Sequence, residues 1–148
     1  MAFSHTISTP TSPKAVLFDA YGTLFDVYSV GLLADQLFPG QGTAIATLWR
    51  DKQIEYTRLL ISSTTAGGQT NDPFYKPFWA VTLDALRYSC AKLGLDLKAN
   101  AQERLMNQYR ALSAFPENKG VLQALQTKGI PTGILSNGDP AMLNVAIS

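Results

Sequence analysis

Two short apolar runs, each ending abruptly in small polar residues and separated by a long helical stretch, constrain the fold of this chain more than any other feature. The first, Ala15-Val16-Leu17-Phe18, lies between Pro13 and Asp19-Ala20-Tyr21-Gly22. It joins a β-branched residue and an aromatic without polar alternation, the pattern of a strand buried on both faces. The second, Ile130 to Leu135, reads the same way and runs into Ser136-Asn137-Gly138-Asp139-Pro140. Two buried strands joined by a crossover imply a parallel α/β core, in which ligands bind outside the carboxyl ends of the strands. Asp19 stands at one such end, Ser136 and Asn137 at the other.

Between the two runs the apolar period is 3.6. Ser29 is placed to cap a helix carrying Val30, Leu33, Ala34, Leu37 and Phe38, which Pro39-Gly40 ends. A second stripe runs Ile45, Leu48, Trp49, Tyr56, Leu59 and Leu60, with Arg50 and Ile54 four residues apart on the adjacent face. Ser62 to Asp72 is polar and Gly-rich and reads as a loop. Pro77 suits a first helical turn, followed by Phe78, Val81, Thr82, Ala85, Leu86, Ser89 and Leu93 up to Gly94. A fourth helix carries Ala101, Leu105, Tyr109 and Leu112, so the segment predicts a four-helix bundle. Asn118 to Lys128 reads as a fifth helix stopped by Gly129. Asp139 can cap, and Pro140 open, a last one running to Ser148. The expected organisation is a flexible tail over 1–12, a core formed by 13–26 and 113–148, and a helical cap over 27–112. A bundle inserted after the Asp19 loop would lie over the sheet edge, the arrangement of a lidded site.

Composition narrows the function classes. Twelve Lys+Arg against 11 Asp+Glu leave a formal charge of +1, with no basic run, which argues against nucleic-acid binding. Charged residues are 16% of the chain and hydrophobic ones 46%, so disorder is excluded for most of it. No apolar run approaches the ~18 residues of a membrane span, and the N-terminus lacks the features of a secretory signal. The single cysteine, Cys90, reads as a buried small hydrophobe, and the expected setting is cytoplasmic.

Asp19 can attack an electrophilic carbon as a carboxylate, without a general base; the bland alternative is a turn or cap aspartate. Tyr21, two residues on, separates two chemistries. A second carboxylate there would complete a Mg²⁺ site, whereas tyrosine is a poor Mg²⁺ ligand and offers an aromatic wall, so phosphate chemistry is disfavoured. The Arg50 guanidinium can hold a carboxylate or receive a departing halide; the alternative is a solvated salt bridge with Asp51 or Glu55. Ser136 and Asn137 are hydrogen-bonding groups at a strand end, or simple turn formers. Asp26 and Asp139 read as caps, and no His/Cys cluster suggests zinc.

Phe18-Asp19-Ala20-Tyr21-Gly22-Thr23-Leu24-Phe25-Asp26-Val27, with Leu48-Trp49-Arg50-Asp51-Lys52-Gln53 and Leu135-Ser136-Asn137-Gly138, resembles the L-2-haloacid dehalogenases of the haloacid dehalogenase superfamily. The match runs over nearly the whole chain from Lys14, and phosphatases of the superfamily carry Asp at the place of Tyr21. The resemblance implies an α/β fold, a Rossmann-like parallel-sheet core of which only the first part is present, with an inserted four-helix cap. It implies hydrolysis of L-2-haloalkanoic acids to D-2-hydroxy acids through an aspartyl ester on Asp19, with no metal or organic cofactor. It also implies roles: Arg50 takes up the halide; Ser136 and backbone amides of the Asp19-Ala20-Tyr21 loop bind the substrate carboxylate; Thr23 and Asn137 support the nucleophile; Tyr21, Ile54 and Phe78 line the pocket. The expected partner is a small 2-haloacid, without nucleic acid or membrane; relatives are commonly homodimers. Asp51 stands where relatives commonly have glutamine, which either alters preference or points outward. Relatives continue beyond this length and supply a catalytic lysine and an acidic loop, so a truncated member is expected. The alternative function is a non-catalytic remnant that binds small carboxylates or self-associates.

Overall fold

The computed structural model describes residues 13–63 and 75–147. The tail expected over 1–12 lies outside the described residues, as does most of the expected loop. The elements are β1 Val16–Phe18, α1 Gly31–Leu37, α2 Gly42–Ser63, α3 Phe78–Lys92, α4 Ala99–Arg110, α5 Pro116–Thr127, β2 Thr132–Ile134 and α6 Pro140–Ala146. Ser62 and Ser63, read as loop, still belong to α2; their hydroxyls donate to the carbonyls of Arg58 and Leu59, four residues back.

β1 and β2 pair in parallel with Val16 opposite Thr132, Leu17 opposite Gly133 and Phe18 opposite Ile134. The crossover and parallel order match the expectation; the burial does not. Leu17, Ile134 and Leu135 are exposed, and Phe18 is the strand residue that packs on the core. Each strand is three residues long, and no described helix covers the face that carries Leu17. Continuous hydrophobicity marks what a strand is able to bury, and here that capacity is half used.

Helices α1 to α4 bury their stripes on one another. α1 packs on α2 and α4, and α3 on α2 and α4, which closes a ring. Its interior holds Ile45, Trp49, Leu86, Cys90, Leu105 and Tyr109. On α2 the buried face runs Ile45, Ala46, Trp49, Gln53 and leaves Leu59 outside, so the stripe that the leucines suggested is displaced. Burial pushes the Cys90 thiol up to about 11, in keeping with a packing role.

Two cap assignments change partner. Ser29 is not the N-cap of α1; its hydroxyl donates to the Asp26 carbonyl and accepts from Ser113 N–H, tying the entry of the bundle to its exit. Asp139 precedes α6 but its carboxylate does not cap that helix. It accepts from Trp79 N–H at 2.8 Å, capping α3 from 60 residues away. Pro77, the residue before α3, has no side-chain acceptor of its own, so the first turn takes one from the loop after β2. Asp26 closes a turn ahead of α1 and does not cap that helix, its Oδ1 accepting from Tyr28 N–H two residues on.

Candidate active site

The loop after β1 folds back on itself. Gly22 N–H donates to Phe25 O, and Leu24 and Phe25 N–H converge on Ala20 O. Gly22 carries φ 98°, a left-handed conformation open to glycine, and a Cβ there would sit 3.3 Å from Arg50 Nη2. Ala20, Tyr21, Leu24 and Phe25 are buried against the bundle, so the turn places Asp19 on a fixed base. Asp19 itself is exposed, and its carboxylate accepts no hydrogen bond from the described residues. It therefore pays no desolvation cost and caps nothing.

A cleft of about 180 Å³ opens beside it. That is below the ~300 Å³ at which pockets begin to suit drug-sized ligands, so its size favours a molecule of a few heavy atoms. Asp19 and Tyr21 reach it from the first loop, Ser136 and Asn137 from the second, Arg50 and Ile54 from α2, and Phe78 from α3. Thr23 and Ala20 do not line it. Thr23 is exposed, its carbonyl accepting from Asn118 Nδ2, and Ala20 lies beneath the turn.

Arg50 is held at two points. Nη1 donates to Gln53 Oε1 and Nη2 to the Tyr21 carbonyl, each at 2.8 Å. The salt-bridge alternative does not occur: Glu55 pairs with Lys52, and Asp51 is exposed and borders a different groove. Asp51 does not line the cleft. The Tyr21 ring stacks on Tyr109 at 5.8 Å and meets Phe78 at 5.5 Å. Gly138 permits this, because a Cβ there would come within 2.7 Å of the Tyr21 ring. Desolvation, with smaller contributions from Tyr109 and Asp139, pushes the Tyr21 phenol up to about 12, so it is neutral near pH 7. The buried hydroxyl has no hydrogen-bond partner among the described residues. Ser136 Oγ accepts from Gly138 N–H, the turn-former reading, and the residue lines the cleft.

The sequence reading missed Gln53, Thr57, Arg58 and Ile61, which also line the cleft. The spacing of Arg50 and Ile54 held the signal. Continued by three and four residues, it reaches Thr57, Arg58 and Ile61 on the same face of α2.

The model of the haloacid dehalogenase-like hydrolase family matches residues 13–148. The (S)-2-haloacid dehalogenase of Pseudomonas sp. (strain YL) is 42% identical over 135 residues, covering 91% of this chain and 54% of the relative. Haloacetate dehalogenase H-2 of Moraxella sp. (strain B) is 41% identical over 125 residues, 84% of this chain and 52% of the relative. Among solved structures, an L-2-haloacid dehalogenase superposes with a TM-score of 0.84 at 57% identity, over 93% of this chain and 58% of that one. The L-2-haloacid dehalogenase of Xanthobacter autotrophicus with chloropropionic acid covalently bound gives 0.78 at 36% identity, over 90% and 50%. The chain spans about half the length of the curated relatives it matches.

Proposed function

For this chain, which belongs to the haloacid dehalogenase-like hydrolase family, we propose hydrolytic dehalogenation of L-2-haloalkanoic acids with Asp19 as the nucleophile. The observation that carries the reading is the meeting of an exposed, unpaired carboxylate and an anchored guanidinium at one small cleft walled by Tyr21, Ile54 and Phe78. A carboxylate oxygen of Asp19 attacks the α-carbon from the side opposite the halogen. The C–O bond forms as the carbon–halogen bond breaks, and the halide leaves with its electron pair toward Arg50. Water then cleaves the ester at the Asp19 carbonyl, regenerating the carboxylate and releasing the hydroxy acid with inverted configuration. Net, haloacid and water give hydroxyacid, halide and a proton. Ser136 and the backbone of the 19–21 loop take the substrate carboxylate, and Asn137 steadies Asp19. Thr23, outside the lining, supports the turn beneath the nucleophile. The covalently bound chloropropionic acid in the Xanthobacter autotrophicus relative supports the ester step.

The test is halide release from L- and D-2-chloropropionate. Release from the L-enantiomer alone, reduced to background in Asp19→Asn, is expected; release retained in that variant would remove Asp19 from the mechanism. A second reading, self-association without turnover, is favoured by the exposed apolar residues Leu17, Leu135, Val145 and Ile147. It predicts concentration-dependent oligomers that release no halide from either enantiomer.

A further inference from the structure

We propose that Gln53, backed by Thr82 and Tyr109, is the positioning residue that aims Arg50 into the cleft while leaving its positive charge unspent; this rests on the reading of Arg50 as the halide acceptor. Gln53 is fully buried, a polar residue among apolar ones on α2. Its Oε1 accepts from Arg50 Nη1 at 2.8 Å and from the Tyr109 hydroxyl at 2.9 Å. Its Nε2 donates to Thr82 Oγ1 at 2.6 Å, and Thr82 in turn donates to the Phe78 carbonyl.

Each contact fixes the next. Arginine has only donors, so the atom of Gln53 that faces it must be the oxygen. Thr82 spends its single proton on Phe78, so the atom that faces Thr82 must be the nitrogen. The amide therefore has one orientation, held from three helices of the bundle. Burial holds the Tyr109 phenol neutral, up to about 12, so it remains a donor throughout the ordinary pH range. Arg50, caught between this oxygen and the Tyr21 carbonyl, has its rotamers frozen before any anion arrives, which is the condition for preorganised charge stabilisation.

The choice of an amide carries the chemical argument. A carboxylate at the same place would accept the same two hydrogen bonds but would neutralise the guanidinium. Glutamine supplies acceptor geometry without counter-charge, so the cation stays available to an incoming anion.

The experiment is ¹⁵N NMR of the Arg50 side chain in the full chain, titrated with sodium bromide. In the unsubstituted protein, separate Nη signals that shift on adding bromide are expected. In Gln53→Glu the Nη signals stay separate, but apparent bromide affinity falls by at least about tenfold, as a paired cation requires. In Gln53→Met the Nη signals broaden toward merging, because only the Tyr21 carbonyl still holds the guanidinium. Should that variant fail to fold, Tyr109→Phe and Thr82→Val carry the test with broadened Nη signals. Bromide affinity unchanged in Gln53→Glu, or Nη signals unchanged in Gln53→Met and Tyr109→Phe, would overturn the proposal. An unsubstituted protein whose Arg50 signals ignore bromide would instead remove the halide-acceptor reading, and the broadening of Nη signals would still decide the positioning role.

Discussion

The helical ring and the two-stranded sheet both carry apolar side chains yet differ in how much of them they bury. Trp49, Leu86 and Leu105 are 1%, 0% and 0% exposed, whereas Leu17 and Leu135 are 65% and 71% exposed and α5 contains no buried residue. The cleft straddles the two regions. Arg50, Gln53 and Phe78 belong to the dense ring; Ser136 and Asn137 belong to the open sheet. Asp19 follows β1, but the turn after it is buried against the ring, so Asp19 takes its rigidity from the bundle. The sheet fixes which residues arrive at the cleft, and the bundle fixes how firmly they are held. Among the described residues no helix is long and apolar enough to cross a membrane.

The largest test of this contrast pairs Trp49→Ala with Leu135→Ala. The first deletes a ring that packs 4.9 Å from Tyr109 and donates through Nε1 to the Thr82 carbonyl at 2.7 Å, leaving a cavity and removing that hydrogen bond. It is expected to cost about 3–5 kcal/mol in guanidinium unfolding. Leu135→Ala is expected to stay within about 0.5 kcal/mol of the unsubstituted chain. Similar losses in the two variants would erase the distinction between the regions.

A smaller effect separates them by pH. Burial raises Tyr109 from 10.0 to about 12 and Cys90 from 9.0 to about 11, and both lie inside the ring. In the unfolded chain these protons are lost first, so between about pH 9 and 12 the folded state binds more protons and rising pH favours unfolding. Their stabilisation is complete below about pH 9 and vanishes as pH climbs through the folded values. At roughly 1.4 kcal/mol per pH unit, Tyr109 alone contributes on the order of 3 kcal/mol. Thermal midpoints should hold level from pH 7 to 9, then fall, and fall less in Tyr109→Phe. A decline beginning well below pH 9 would place its cause outside the ring.

What the sequence made legible follows the same line. Continuous apolar runs located both described strands, apolar periodicity located α1 to α5, the Asp139-Pro140 signal located α6, and glycines marked the stops at Gly94 and Gly129, which carry φ 69° and 65°. The strand ends identified Asp19, Ser136 and Asn137, because parallel topology alone brings such ends together. Periodicity assigns faces but is silent on which polar residue a face will bury. Gln53 escaped notice because its partners Thr82 and Tyr109 lie 29 and 56 residues away. Helix entry signals misled for a related reason. Ser29 and Asp139 have the right chemistry for caps, but their side-chain oxygens accept from Ser113 and Trp79 N–H, distant in sequence, and not from the first turn of the helix that follows.

Asp139 offers the finest test, because its carboxylate joins the two regions. It accepts from Trp79 N–H while its own backbone starts α6, and the Trp79 ring carries the Arg110 guanidinium 4.1 Å from its centre. Asp139→Ala removes a helix cap, worth about 1 kcal/mol. Asp139→Asn keeps an acceptor oxygen and loses the negative charge at the start of α3, worth a few tenths. If the contact served α3 alone, amide exchange would quicken at Trp79 and leave the segment after β2 unchanged. If it anchors the open region to the dense one, exchange at Gly138 and Met142 should rise as well in Asp139→Ala and recover in Asp139→Asn. The second outcome is expected: Ser136 and Asn137 immediately precede this contact, α5 behind them contains no buried residue, and the other tie of the segment, buried Met142 of α6, lies beyond it.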